Sequence, residues 1–134
     1  MNPEMLVRQA LQAREQAYAP YSHFAVGAAL LLRDGRVVRG ANVENASFGL
    51  TVCAERIAVF KAITEGSREF AALAVATARG ASMCGACRQV LREFAPTLPI
   101  YLADATGAFR THTLQELLPE SFGPESLEPA PPPG

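Results

Sequence analysis

Apolar positions near the start of the chain, Leu6, Val7, Ala10, Leu11, Ala17 and Tyr18, recur every three or four residues with Arg8, Gln9, Gln12 and Glu15 between them. That spacing predicts an amphipathic helix, ended by Pro20. Residues 25–32 and 36–43 are rich in apolar and β-branched side chains and flank Asp34-Gly35, a dipeptide suited to a tight turn, so they read as a hairpin. Residues 45–50 form a loop, followed by a buried helix over 52–64 with Thr51 as its N-cap and Gly66 as its stop. Residues 70–77 are an almost wholly apolar strand. A strand of that kind is covered on both faces, which predicts helices above and below the sheet. A further helix runs over 84–94, capped by Ser82 and closed by Pro96. Strands at 100–103 and 109–113 then surround a turn at 104–107, and a short helix follows at 114–118.

This order describes an α/β domain: three layers, α/β/α, around a mixed sheet of five strands. Right-handed crossovers place the N-termini of the two central helices at one edge of the sheet. A single domain spans residues 1–128, and the proline-rich segment 129–134 is expected to be a disordered tail.

A length of 134 residues suits one domain that builds its core without disulfides. The longest apolar runs are too short to span a bilayer, and the start of the chain has no cationic leader or apolar signal core, so a cytoplasmic address is expected, with no membrane partner. The 12 basic and 13 acidic residues are scattered, giving a net charge of −1 and no basic run to track a phosphate backbone. Nucleic acid is therefore not expected as a partner.

The three cysteines change the picture, because reducing conditions disfavour disulfides and their spacing asks for another role. Cys53-Ala54-Glu55 opens one predicted helix and Cys84-Gly85-Ala86-Cys87 opens the next. A C-x-x-C at a helix start brings two sulfurs to one ion, and Cys53 adds a third from the neighbouring helix. Three protein ligands, rather than four, is the count of a catalytic zinc that keeps a place for water. His23 and His112 lack ligand spacing and read as surface or packing residues. Glu55 sits where its carboxylate can reach a water on the ion without becoming a ligand, receive the proton and pass it to a pyrimidine ring nitrogen. Three thiolates make the first shell negative. Helix N-termini and Arg56, three residues after Cys53, are the available positive charge. Taken separately, Cys84 and Cys87 also fit a redox pair or small buried hydrophobes, and Glu55 a favourable first-turn acid.

With these residues in place, the chain resembles the small cytidine deaminases, through Asn42-Val43-Glu44-Asn45-Ala46-Ser47-Phe48-Gly49-Leu50, Thr51-Val52-Cys53-Ala54-Glu55-Arg56 and Cys84-Gly85-Ala86-Cys87-Arg88-Gln89. The resemblance runs from Tyr21 to Pro119. It implies one zinc ion per chain on Cys53, Cys84 and Cys87, with Glu55 as proton shuttle. It also implies a substrate site of Phe24, Asn42, Glu44, Ala54 and Phe122, with Asn42 and Glu44 on the ribose 3′-hydroxyl and Phe24 along the base. The implied assembly is a homotetramer with shared active sites, Phe122 reaching a partner's ligand. Two positions depart from the pattern: Met83 stands where proline is usual, adding a backbone N–H, and Phe48 where tyrosine is usual, losing a hydroxyl.

The activity this implies is hydrolytic deamination of free cytidine and deoxycytidine. An ionised Glu44 beside the 3′-oxygen would repel a 3′-phosphate, favouring nucleosides over polynucleotides. The nearest alternative is a deaminase of the same fold acting on another aminated heterocycle, such as a blasticidin-type nucleoside. A transfer-RNA or polynucleotide editor would need a basic surface. A noncatalytic zinc-binding interaction module would need a fourth protein ligand and leaves Glu55 unused, and a C-x-x-C redox protein leaves Cys53 unused.

Overall fold

The computed structural model describes residues 1–129. The tail expected at 129–134 therefore lies, apart from Pro129, outside the described residues. The chain runs through α1 (Pro3–Arg14), β1 (Gly27–Leu32), β2 (Val37–Ala41), α2 (Ala54–Thr64), β3 (Phe70–Ala76), α3 (Gly85–Phe94), β4 (Pro99–Ala103), β5 (Phe109–Thr113) and α4 (Leu114–Leu117), with short 3-10 turns at Phe48–Leu50 and Pro124–Leu127. The sheet is mixed and five-stranded, in the order β2-β1-β3-β4-β5. Only β3 and β4 are parallel, joined by the α3 crossover, and the other three pairings are antiparallel. The sequence-based expectation of an α/β domain with a five-stranded mixed sheet holds.

Alternation along the strands sorts the core into two layers. Ala28, Leu30, Leu32, Leu73, Val75, Ile100 and Leu102 face α2 and α3, packing with Val59, Leu91 and Leu114. Ala29, Ala72, Ala74, Ala76 and Ala103 face α1, where Leu6, Val7 and Ala10 cover them. Two glycines set how closely the helices lie. A Cβ on Gly27 would fall 2.1 Å from the Ala10 carbonyl of α1, and one on Gly40 would fall 2.5 Å from the Ala54 carbonyl of α2.

Strands β1 and β2 are shorter than the 25–32 and 36–43 read from the sequence, α2 starts two residues later than expected, and the end of α1 and the caps of α2 and α3 also differ. Helix α1 stops at Arg14, before Ala17 and Tyr18. The amides of Glu15, Gln16 and Ala17 bond carbonyls only three residues back, and Tyr18 then pairs with the β2 extension, its N–H on the Asn42 carbonyl at 2.9 Å and its carbonyl taking the Glu44 N–H at 2.8 Å. Those strand-like bonds outweigh the side-chain periodicity that had extended the helix to Pro20. Thr51 does not cap α2: its hydroxyl accepts the Asn45 N–H at 3.2 Å, and Cys53 is the N-cap. Ser82 does not cap α3, because its hydroxyl accepts from Arg88 and Cys84 is the N-cap. Neither cysteine makes a side-chain cap hydrogen bond.

Candidate active site

Helices α2 and α3 each begin at a cysteine, and the chain brings those two starts together. Cys53 Sγ lies 3.7 Å from Cys84 Sγ, Cys84 Sγ lies 3.4 Å from Cys87 Sγ, and all three sulfurs fall within 4.8 Å of one another. Among the described residues this is the one group of cysteine, histidine or carboxylate side chains so clustered. Hydrogen bonding from the Cys87 thiol, then from Arg56 and Cys84, lowers the Cys53 thiol to about 5 against the opposing effect of burial. Cys87 shifts upward, first through its bond with Cys53 and then through burial. One sulfur therefore gives up its proton readily and is stabilised as thiolate by its neighbours.

The donor set fits zinc: three soft sulfur ligands at helix starts, within reach of one ion, with no fourth protein donor grouped with them among the described residues. Arg56 supports the fit. Its Nη2 donates to Cys53 Sγ at 3.6 Å, while its Nε is buried without a protein acceptor. An incompletely paired guanidinium against sulfur is costly by itself and fits a site that gathers negative charge.

A cavity of about 230 Å³ opens beside the sulfurs, lined by Cys53, Cys84 and Glu55, by Phe24, Val26, Asn42, Glu44 and Thr51 from the hairpin side, and by Thr77 and Ser82 from the end of β3 and the loop after it. A larger cavity of about 760 Å³ lies between α1, β2 and α2, lined by residues including Gln12, Arg39 and Lys61, away from the sulfurs. The smaller one holds the chemistry. Glu55, in the first turn of α2, is 4% exposed, and burial raises its pKa, opposed by a hydrogen bond from its own backbone. A carboxyl in that setting holds a proton more readily than one in water.

The other residues expected from the sequence fall at different places. Asn42 is buried, its Oδ1 accepting the Val26 N–H at 2.9 Å and its Nδ2 donating to the Phe24 carbonyl at 2.7 Å. Glu44 Oε1 accepts the Tyr21 and Ser22 amides at 3.0 and 3.1 Å, and Oε2 accepts the Ser22 hydroxyl. The Ser22 hydroxyl bond is the main reason the Glu44 pKa is lowered. Phe24 lines the cavity with about half its surface exposed. Ala54 is fully buried against Gly40 and is absent from the cavity wall. Phe122 is exposed and also outside that wall, its carbonyl held by Gln89 Nε2 at 2.8 Å. His23 is exposed and lies outside the sulfur cluster, as does His112, which contacts Glu116 at 3.4 Å.

Sequence reasoning missed Thr77, Ser82 and Ser22. Thr77 carried a usable signal, being the first polar residue at the end of the apolar β3 run. Ser22 carried none, since its bond to Glu44 spans 22 positions.

The chain is similar to known proteins over most of its length. Residues 1–103 match the family model described as the cytidine and deoxycytidylate deaminase zinc-binding region. The chain is 53% identical over 130 residues to a cytidine deaminase of Halalkalibacterium halodurans, covering 95% of this chain and 98% of that protein. It is 46% identical over 125 residues to a cytidine deaminase of Mycobacterium tuberculosis, covering 92% and 91%. The crystal structure of a cytidine deaminase from Burkholderia pseudomallei superposes with a TM-score of 0.88 at 50% identity, covering 91% of this chain and all of that one, 100%.

Proposed function

The chain belongs to the cytidine and deoxycytidylate deaminase family, and we propose from that premise that it hydrolyses free cytidine and deoxycytidine to uridine and deoxyuridine, releasing ammonia. The observation that carries the reading is a buried Glu55 carboxyl lining the same cavity as Cys53 and Cys84, two members of a three-sulfur cluster. Cys53, Cys84 and Cys87 would hold one zinc ion, which when bound supplies a Lewis acid that lowers the pKa of a water in its fourth position.

Glu55 does the proton work. It takes a proton from the attacking water and delivers it to the ring nitrogen N3, which makes C4 electrophilic. The C4–O bond forms. Glu55 then accepts the remaining hydroxyl proton and transfers it to the amine nitrogen, the C4–N bond breaks and ammonia leaves. A carboxyl whose pKa is raised by burial suits this shuttle, because it holds a proton more readily than one in water between the two transfers. Arg56 offsets the charge of three sulfurs.

Hydrogen-bond capacity supports Asn42 and Glu44 as ribose ligands. Each carboxylate offers about four acceptor sites. Glu44 uses three on Tyr21 and Ser22, which leaves one for a 3′-hydroxyl. Asn42 keeps one N–H and one lone pair after its bonds to Val26 and Phe24. The Phe24 ring would flank the base, and Ala54 could act only through its backbone. Phe122, exposed and outside the cavity, would serve a neighbouring copy in a homotetramer. The exposed side chains of Tyr21, Phe48 and Leu50 support such an assembly as apolar surface for a partner. No helix is long and apolar enough to cross a membrane among the described residues. Three free cysteines suit the reducing cytoplasm, where we place the reaction.

The test is direct: zinc-loaded protein incubated with cytidine should release one ammonia per uridine formed. Absence of ammonia from cytidine, with turnover of a blasticidin-type nucleoside, would move the assignment to the neighbouring substrate class.

A further inference from the structure

Arg88 follows Cys87 on α3 and takes no part in the proton transfers of the reaction. Its guanidinium is nevertheless heavily used. Nε donates to the Met83 carbonyl at 2.9 Å, Nη2 to the Ser82 hydroxyl at 2.8 Å, and Nη1 to the Leu117 carbonyl at the end of α4. Two of these bonds hold the loop between β3 and α3, whose Ser82 forms part of the cavity wall beside Cys84 and Glu55.

The rest of that loop is held as well. The Ala81 N–H donates to Thr77 Oγ1 at 2.7 Å, and the Gly80 carbonyl accepts from Arg110 Nη1 at 2.7 Å. Met83 packs its side chain into the core at 4% exposure, so its carbonyl, not its side chain, is what Arg88 reaches. A planar guanidinium with donors in a fixed fork can hold three acceptors in a set arrangement, whereas a lysine ammonium on a flexible stem defines no such plane.

We infer that Arg88 is a positioning residue of the deaminase, fixing Ser82 in the cavity wall and the adjoining Met83 backbone so that the reacting end of the substrate is held against Glu55. The inference rests on the deaminase reading. Small misplacements of a substrate-facing wall are costly in rate, on the order of 100-fold for about 1 Å. The loss should appear mainly in kcat, since the cavity keeps most of its binding contacts while orientation suffers.

The experiment compares the zinc-loaded parent with Arg88→Lys and Arg88→Gln. Both variants should retain one zinc per chain and lose about 10- to 100-fold in kcat/KM, with kcat falling more than KM rises. Hydrogen exchange should speed up at residues 80–83 while the interior amides of β3 and α3 stay as protected as in the parent. Ser82→Ala alone should cost less, and adding it to Arg88→Gln should cost little more, because the two changes break the same contact. Unchanged kcat/KM, loss of zinc in step with activity, exchange raised throughout the fold, or failure of both variants to fold would each overturn the positioning role. A parent inert towards cytidine would instead sink the deaminase reading, leaving the two failures distinguishable.

Discussion

The two faces of the sheet are both well packed, yet they are built for different ends. The α1 face is a layer of alanines under Leu6, Val7 and Ala10, with Gly27 admitting the α1 backbone almost to contact. The α2/α3 face carries the bulkier Leu30, Leu73, Ile100 and Leu102, and it aims two helix starts at one point, each beginning with a cysteine. Close approach is achieved on both. On the second face it also sets the position of chemistry, because the Ala54 carbonyl that crowds Gly40 belongs to the same turn as Cys53 and Glu55. Added volume should therefore have different consequences on the two faces: stability alone on the first, stability and catalysis together on the second.

The largest effect lies at the reacting end of the second face. Glu55→Ala should lower turnover of cytidine by about 10⁴-fold, the upper end for a general acid–base group, while one zinc per chain is retained. Steady-state kinetics with metal analysis checks both halves, and a variant with near-parental turnover would break the assignment of the shuttle.

The next pair of substitutions probes the comparison itself. Gly27→Ala and Gly40→Ala each force a methyl into backbone and should each lower stability by about 1–3 kcal/mol in denaturant unfolding. Only Gly40→Ala should also depress kcat/KM of the folded fraction. Equal kinetic effects would mean that the two faces are not functionally distinct.

Arg56→Ala should weaken zinc by about 10- to 100-fold in chelator competition, because the Cys53 thiolate loses its hydrogen-bonded cation. Parental zinc affinity together with parental turnover would remove that role.

The smallest effect concerns Glu44 and pH. Its folded pKa lies below the ordinary carboxylate value, chiefly through the Ser22 hydroxyl. Protons then bind the unfolded carboxylate more readily than the folded one, so the contribution of its bonds to Ser22 and Tyr21 is complete above the ordinary carboxylate range and is lost as pH falls through the lowered value. Acidification should raise KM only below that range, and Ser22→Ala should move the rise to higher pH. A KM profile insensitive to Ser22→Ala would contradict this.

Much of this was legible along the chain for identifiable reasons. The unbroken apolar run of β3 announced a strand covered on both faces, and the turn residues at 104–107 marked where Phe109–Thr113 begins. The three cysteines and Glu55 were legible because ligand spacing is local on two helix starts and the residue types are rare. What stayed hidden depends on bonds between distant positions. Tyr18 left α1 to pair beside Asn42 and Glu44, Thr51 turned to Asn45, and Ser82 turned to Arg88. Local pattern assigned the last two as helix caps because threonine and serine before a helix usually are. Here the cap positions were taken by Cys53 and Cys84, which leaves the sulfurs at the helix starts.

The central claim is that the metal would be held by three protein sulfurs and completed by solvent, with Glu55 beside that position. X-ray absorption of the zinc-loaded protein tests it most directly. Three sulfur neighbours at about 2.3 Å and one light atom at about 2.0 Å, exchangeable with a cytidine-like inhibitor, are predicted. Four sulfurs, or a histidine signature in the shell, would contradict the account.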